Sequence, residues 1–119
     1  MWQVEVVDTP AAMARGLMFR LYLPKHAGML FVFDPPRETA FWMRQTYIPL
    51  TMRFYDAYGR LIAFYPHATP CHRMPCPVYP SHAPVKYVLE TRTADRDVRP
   101  PYAFPAPHRR LLHLLPFAE

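Results

Sequence analysis

Glycine is scarce in this sequence: 3 residues in 119, against 16 prolines. Three single glycines cannot build a phosphate-cradling loop, which excludes nucleotide binding by that route. Each proline fixes φ and removes a backbone donor, so long helices and uninterrupted central strands are excluded as well. Short strands joined by stiff loops are expected instead. Lysine occurs only at Lys25 and Lys86, and no basic run is longer than Arg109-Arg110, so a solvated polybasic tail is absent. A formal charge of +5 and a pI near 9.5 then describe scattered arginines, which bear on solubility rather than on function. No stretch approaches the ~20 apolar residues that span a bilayer as a helix. The opening Met1-Trp2-Gln3-Val4-Glu5 lacks the basic-then-apolar signature of a signal peptide. The expected compartment is periplasmic or exported if a leader has been removed, and cytoplasmic otherwise. Serine occurs once, at Ser81, and neither it nor a cysteine sits in a local nucleophile motif. No catalytic residue is therefore nominated.

What is present is apolar and aromatic. Half the residues are hydrophobic and 15% are aromatic, enough to fill one core and too much for a disordered chain. Val4 and Val6 alternate with Gln3 and Glu5 as an opening strand. Thr9 is a helix cap and Pro10 suits the first helical position, where its missing donor costs nothing. Ala11 to Arg15 continue the helix and Gly16 closes it. Met29-Leu30-Phe31-Val32-Phe33 is a short continuous apolar run, expected as a strand buried on both faces. Thr39 to Met43 is a candidate strand. From Pro49 a further strand sends Leu50, Met52 and Phe54 one way and Thr51, Arg53 and Tyr55 the other. Asp56 to Gly59 reads as a turn, with Arg60 to Tyr65 as the hairpin partner. These three strands, from Met29, from Leu50 and from Leu61, are expected to be neighbours. Between Pro66 and Pro84 six prolines fall in nineteen residues, and an ordered loop without regular elements is expected. Val85 to Leu89 alternates as the last strand. Beyond Glu90 the chain turns polar and proline-broken, with one short amphipathic helix expected near 108–115.

Three stretches in this order carry a resemblance: Ala14-Arg15-Gly16-Leu17-Met18-Phe19-Arg20, Gly28-Met29-Leu30-Phe31-Val32-Phe33, and Phe41-Trp42-Met43-Arg44-Gln45-Thr46-Tyr47-Ile48-Pro49-Leu50. With Tyr87-Val88-Leu89-Glu90 as closing strand, the chain resembles the domain of unknown function 192 family over about residues 4–90. The resemblance implies a mainly β domain, a single jelly-roll-like β-sandwich with one short N-terminal helix. It also implies bacterial relatives exported behind a leader. It supplies no catalytic residues. Three features depart from the family pattern. Gln45 stands where asparagine is usual, and Thr51 where an aspartate commonly follows Pro-Leu. A proline- and arginine-rich tail replaces the usual segment after Glu90. The expected organisation is thus a domain over 1–90 and a divergent tail over 91–119.

Two groups of residues are candidates for chemistry. Cys71 and Cys76, with His67, His72 and His82 nearby, read as a structural disulfide, as free thiols or as part of a metal site. The disulfide is favoured because four ligands at paired short spacings are missing and the spacing is not Cys-x-x-Cys. Trp42, Arg44, Gln45 and Arg53, with Arg15 as neighbour, are the ligand-binding candidates: arginine beside an aromatic wall holds a carboxylate or a sugar hydroxyl. The competing explanation is that Phe41 and Met43 are core and that Arg44 caps a loop. Asp8, Asp34, Glu38, Asp56 and Glu90 are expected at strand ends and turns, where capping explains them. The expectation is a monomeric, non-catalytic binding or accessory module of the cell envelope. Its partner would be a small molecule or an envelope component, with no cofactor, no metal and no nucleic acid. The alternatives are a metal-dependent enzyme using the loop from Cys71 to His82, and a nucleic-acid partner using the basic tail.

Overall fold

The computed structural model describes residues 3–93. The expected helix near 108–115, and the tail generally, lie outside the described residues. Five strands form one sheet in the order β1 (Gln3–Val7), β2 (Ala27–Arg37), β7 (Val85–Arg92), β4 (Leu50–Tyr55), β5 (Leu61–Ala68), and two more, β3 (Ala40–Trp42) and β6 (Val78–Pro80), form a second. The fold is mainly β with one short N-terminal helix.

The chain opens with β1 (Gln3–Val7), then α1 (Pro10–Arg15), then β2 (Ala27–Arg37). β1 and β2 are parallel, with Gln3 opposite Ala27 and Val7 opposite Phe31. Parallel neighbours need a crossover, and α1 supplies it. Thr9 caps this helix by accepting a hydrogen bond from the Ala12 N–H at 3.3 Å. Gly16 ends it at φ 50°, in the region that favours glycine, and donates to the Ala12 carbonyl at 3.0 Å. A forked ion pair between Arg20 and Glu5 ties the following turn back to β1. The guanidinium holds the Glu5 carboxyl below its ordinary range. Both side chains are largely solvated, so the pair stabilises by at most about 1 kcal/mol.

β4 (Leu50–Tyr55) and β5 (Leu61–Ala68) form the expected hairpin. Its turn is held by the Gly59 N–H on the Asp56 carbonyl at 3.0 Å and by Asp56 Oδ1 accepting from the Tyr58 and Arg60 N–H groups. The three strands from Met29, Leu50 and Leu61 are not all neighbours, because β7 (Val85–Arg92) inserts between β2 and β4, antiparallel to both. β7 therefore has no solvent edge, and Val85 and Tyr87 through Thr91 are buried. The strand also runs two residues past Glu90.

Two strands outlast their prolines. β2 continues through Pro35 and Pro36 with a register shift between Val32 and Arg37, and β5 continues through Pro66. Proline fits there because a bulge or an edge asks for no ladder N–H. The proline-dense stretch also contains a regular element that its composition hides. β6 (Val78–Pro80) pairs with β3 (Ala40–Trp42). Ser81 pins their end, its N–H donating to the Thr39 carbonyl at 2.8 Å and its hydroxyl accepting from the Thr39 N–H at 2.9 Å.

The small sheet packs on the large one through Phe41. Its ring meets Phe31, Phe54 and Phe33 edge-on at centroid distances of 4.8, 5.5 and 6.3 Å, geometries worth about 0.5–1.5 kcal/mol each beyond area burial. Met29, Leu50, Met52 and Val88 complete this core. The opposite face of the large sheet buries Val4, Leu30, Val32, Tyr55, Tyr87 and Leu89. The alternation expected for β4 divides in this way, with Phe54 in the first cluster and Tyr55 in the second.

Candidate functional site

An open cleft of about 700 Å³ lies where α1 and its following turn, the second half of β2, and β3 come together. That volume falls in the range of small-molecule sites, about 300–1,000 Å³. Its apolar wall is Phe31, Phe33, Phe41 and Trp42; its charged groups are Asp8, Arg15, Asp34, Arg37 and Glu90. Local sequence explains each placement. Arg15 sits in the last turn of α1, where a cation suits the helix dipole. Its guanidinium lies 5.7 Å from the Phe19 ring centre. Gly16 lets the backbone approach the wall, since a Cβ there would stand 3.4 Å from Phe31 Cζ. Arg37 follows the bulged prolines and lies over Phe33 at 5.0 Å. Trp42, 38% exposed, carries Arg44 over its ring at 5.6 Å.

The five predicted site residues thus separate. Arg15 and Trp42 line the cleft. Arg44 is not in the lining; it lies over the Trp42 ring and its backbone forms an isolated β-bridge with Cys71. Gln45 acts through its backbone: its carbonyl accepts the Phe19 N–H at 2.8 Å, joining the turn after α1 to the loop after β3. Arg53 belongs to a different place. It is 6% exposed on the opposite face of the large sheet, over Phe64 at 5.1 Å and 3.5 Å from the Thr91 hydroxyl. Burial lowers its pKa, with Tyr55 as a smaller opposing influence. Phe41 and Met43 pack into the core, while Arg44 stacks on Trp42 and its carbonyl accepts from the Thr46 hydroxyl at 3.2 Å.

Glu90 is not a cap at a strand end. It lies inside β7, 4% exposed, on the face that carries Val88, with Met29 and Met52 as ladder partners. It lines the cleft. Burial alone pushes its carboxyl up to about 8, with no charged or hydrogen-bonding group contributing. A perturbed carboxyl in a cleft marks a functional-site candidate. The alternation of Val85 to Leu89 does not reveal this, because it is the pairing of β7 with both β2 and β4 that buries the strand on both faces. Arg37 and Asp34 carry no signal either, because only the bulge after Val32 brings them to the cleft.

Cys71 and Cys76 form a disulfide. The Cys71 backbone pairs with the site loop, its N–H donating to the Met43 carbonyl at 3.2 Å and its carbonyl accepting from the Gln45 N–H at 3.0 Å. His72 stacks near Tyr47 at 5.3 Å. Both sulfurs are committed, so neither is a thiolate ligand. Among the described residues no helix is long and apolar enough to cross a membrane.

Fold and cleft together define a small two-sheet β domain with an aromatic, arginine-bearing pocket beside its only described helix. The chain belongs to the domain of unknown function 192 family, DUF192, described as Uncharacterized ACR, whose model matches residues 1–95. Two solved structures are similar. One is a candidate transcription regulator from Sinorhizobium meliloti, 36% identical, covering 75% of this chain and 67% of its own, with a TM-score of 0.69. The other is a protein of unknown function from Novosphingobium aromaticivorans, 35% identical, covering 76% of this chain and 63% of its own, with a TM-score of 0.71. No curated protein matches the sequence.

Proposed function

We propose that the chain is a non-catalytic binding module that takes a small carboxylate with a flat apolar body in the cleft beside α1. The observation that carries this reading is the lining itself: Arg15 and Arg37 line the same cleft as Phe41 and Trp42. Guanidinium groups recognise carboxylates through two parallel hydrogen bonds, and an aromatic wall supplies area that a planar ligand can cover. The Cys71–Cys76 disulfide supports a place in an oxidising compartment such as the cell envelope.

The test is calorimetric titration with para-methylbenzoate and with its neutral counterpart para-methylbenzamide. The carboxylate should bind saturably at one site, about tenfold or more tighter than the amide. Arg15→Gln and Arg37→Gln should each remove most of that preference. Trp42→Ala should weaken both probes. Arg44→Ala should cost less than Trp42→Ala, because Arg44 reaches the cleft only through the indole. Arg53→Gln, on the far face, should change neither affinity. Equal binding of acid and amide, or an undiminished preference in both arginine variants, overturns the reading.

A further inference from the structure

The cleft reading accounts for the two arginines and leaves Glu90 unused. Glu90 is more than nine-tenths buried yet lines the cleft. Its carboxyl has no hydrogen-bond or ion-pair partner among the described residues. With no protein group on it, the carboxyl is reached from the cleft that it lines, and a partner entering there completes it. Along β7 Glu90 stands opposite Met29, whereas Arg37 stands opposite Val85, which puts their backbones roughly 17 Å apart at about 3.4 Å per residue. The Arg37 end and the Glu90 end of the cleft are therefore separate.

We infer that Glu90 is a second recognition group of this cleft and receives a primary ammonium, so that the occupant carries a carboxylate at one end and an ammonium at the other. This rests on the carboxylate reading above and extends it to a zwitterion. Both signs of charge line the cleft, Arg15 and Arg37 against Asp8, Asp34 and Glu90, which matches a ligand bearing both. The aromatic wall suits the flat body between them. A neutral hydroxyl would gain only an ordinary hydrogen bond at Glu90. An ammonium gains a charge-assisted one, at a carboxyl that is itself 4% exposed.

Protons follow from this pairing. The strands flanking Glu90 present Met29 and Met52 beside it, which do not titrate. The other charged groups of the cleft are Asp8, Arg15, Asp34 and Arg37, and Lys86 of β7 lies 4.0 Å from Asp34. Glu90 is mostly protonated at pH 7 in the empty cleft. An ammonium selects the carboxylate, so the Glu90 proton leaves to buffer as the ligand enters.

The experiment is titration calorimetry of the full chain at pH 7, in two buffers of different protonation enthalpy. The probes are para-(aminomethyl)benzoate, para-(hydroxymethyl)benzoate and para-methylbenzoate. The amine should bind about tenfold or more tighter than the methyl compound and release about one proton per site, while the methyl compound releases none. Glu90→Gln should erase both the gain and the proton release. The proton release of the unmodified protein tests the inference even if that variant fails to fold. An amine that binds no better than the methyl compound, or no better than the hydroxyl compound, or without proton release, overturns the inference and leaves the carboxylate reading standing. Failure of all three carboxylates to bind overturns both.

Discussion

At the scale of single residues, Glu90 sets the pH response of folding. Its folded pKa, about 8, lies above the ordinary value of 4.5. Between those values the native state holds a proton that the unfolded chain has released. The resulting stability is fully present below about pH 4.5 and is lost as pH rises through about 8. The slope of that loss is about 1.4 kcal/mol per pH unit while the difference persists. Chemical denaturation at intervals from pH 5 to pH 8 should show a falling midpoint, and Glu90→Gln should flatten the profile and raise stability at pH 8. A profile unchanged by the substitution would mean that Glu90 ionises normally in the folded protein. Gln45 offers a second residue-scale test. It occupies φ 51°, a left-handed conformation that asparagine adopts more cheaply than glutamine. The family's usual asparagine thus has a backbone reason, and Gln45→Asn should stabilise by about 0.5–1 kcal/mol in a denaturant melt. A loss instead would give the hydrogen bond from the Tyr47 hydroxyl to Gln45 Oε1, 3.2 Å long, more weight than the backbone strain.

At the scale of elements, the contact of β2 with β7 is the least forgiving. A Cβ on Gly28 would stand 2.6 Å from the Glu90 carbonyl oxygen, which is backbone and cannot turn aside. Gly28→Ala should therefore cost about 2–3 kcal/mol by overpacking, read as a lowered thermal midpoint with the β spectrum retained. The disulfide works on a different element. It closes a short loop beside β3, so reduction or Cys76→Ser should cost about 2 kcal/mol in the chain-entropy model. A reductant that leaves the melting temperature unchanged would show that the loop is ordered by its prolines alone. Elements were legible in the sequence wherever a local pattern decides them. Thr9-Pro10 and Gly16 bracket α1, alternation marks β4, and the Asp56–Gly59 turn sets the hairpin. β6 was illegible because a three-residue strand in a proline-dense stretch has no period to detect. It exists only because β3 offers a partner.

At the scale of the whole molecule, strand order is what the sequence conceals. Nothing local tells β7 to insert between β2 and β4, and that insertion turns Glu90 from an apparent strand-end cap into a buried cleft residue. Alternation along β4, by contrast, already turns Arg53 to the face opposite Phe54, away from Trp42 and Arg44, although all three lie within one dozen residues of sequence. Half of the candidate site was legible, because Arg15 and Trp42 stand in aromatic-rich motifs. The other half, Arg37 and Glu90, depends on pairings far apart along the chain. The same architecture predicts how stability is distributed. β7 has hydrogen-bonded neighbours on both sides, whereas α1 is a six-residue helix with no buried residue. Short helices on an exposed flank open locally at far lower cost than central strands. Native-state hydrogen exchange should show β7 amides opening only with global unfolding and α1 amides exchanging orders of magnitude faster. Because α1 is also one wall of the cleft, an occupant that bridges Arg15 to the sheet should slow exchange at Ala12 to Gly16 selectively, while β7 changes only as much as global stability does. A probe that protects the β5 edge and leaves α1 untouched would place binding elsewhere on the molecule.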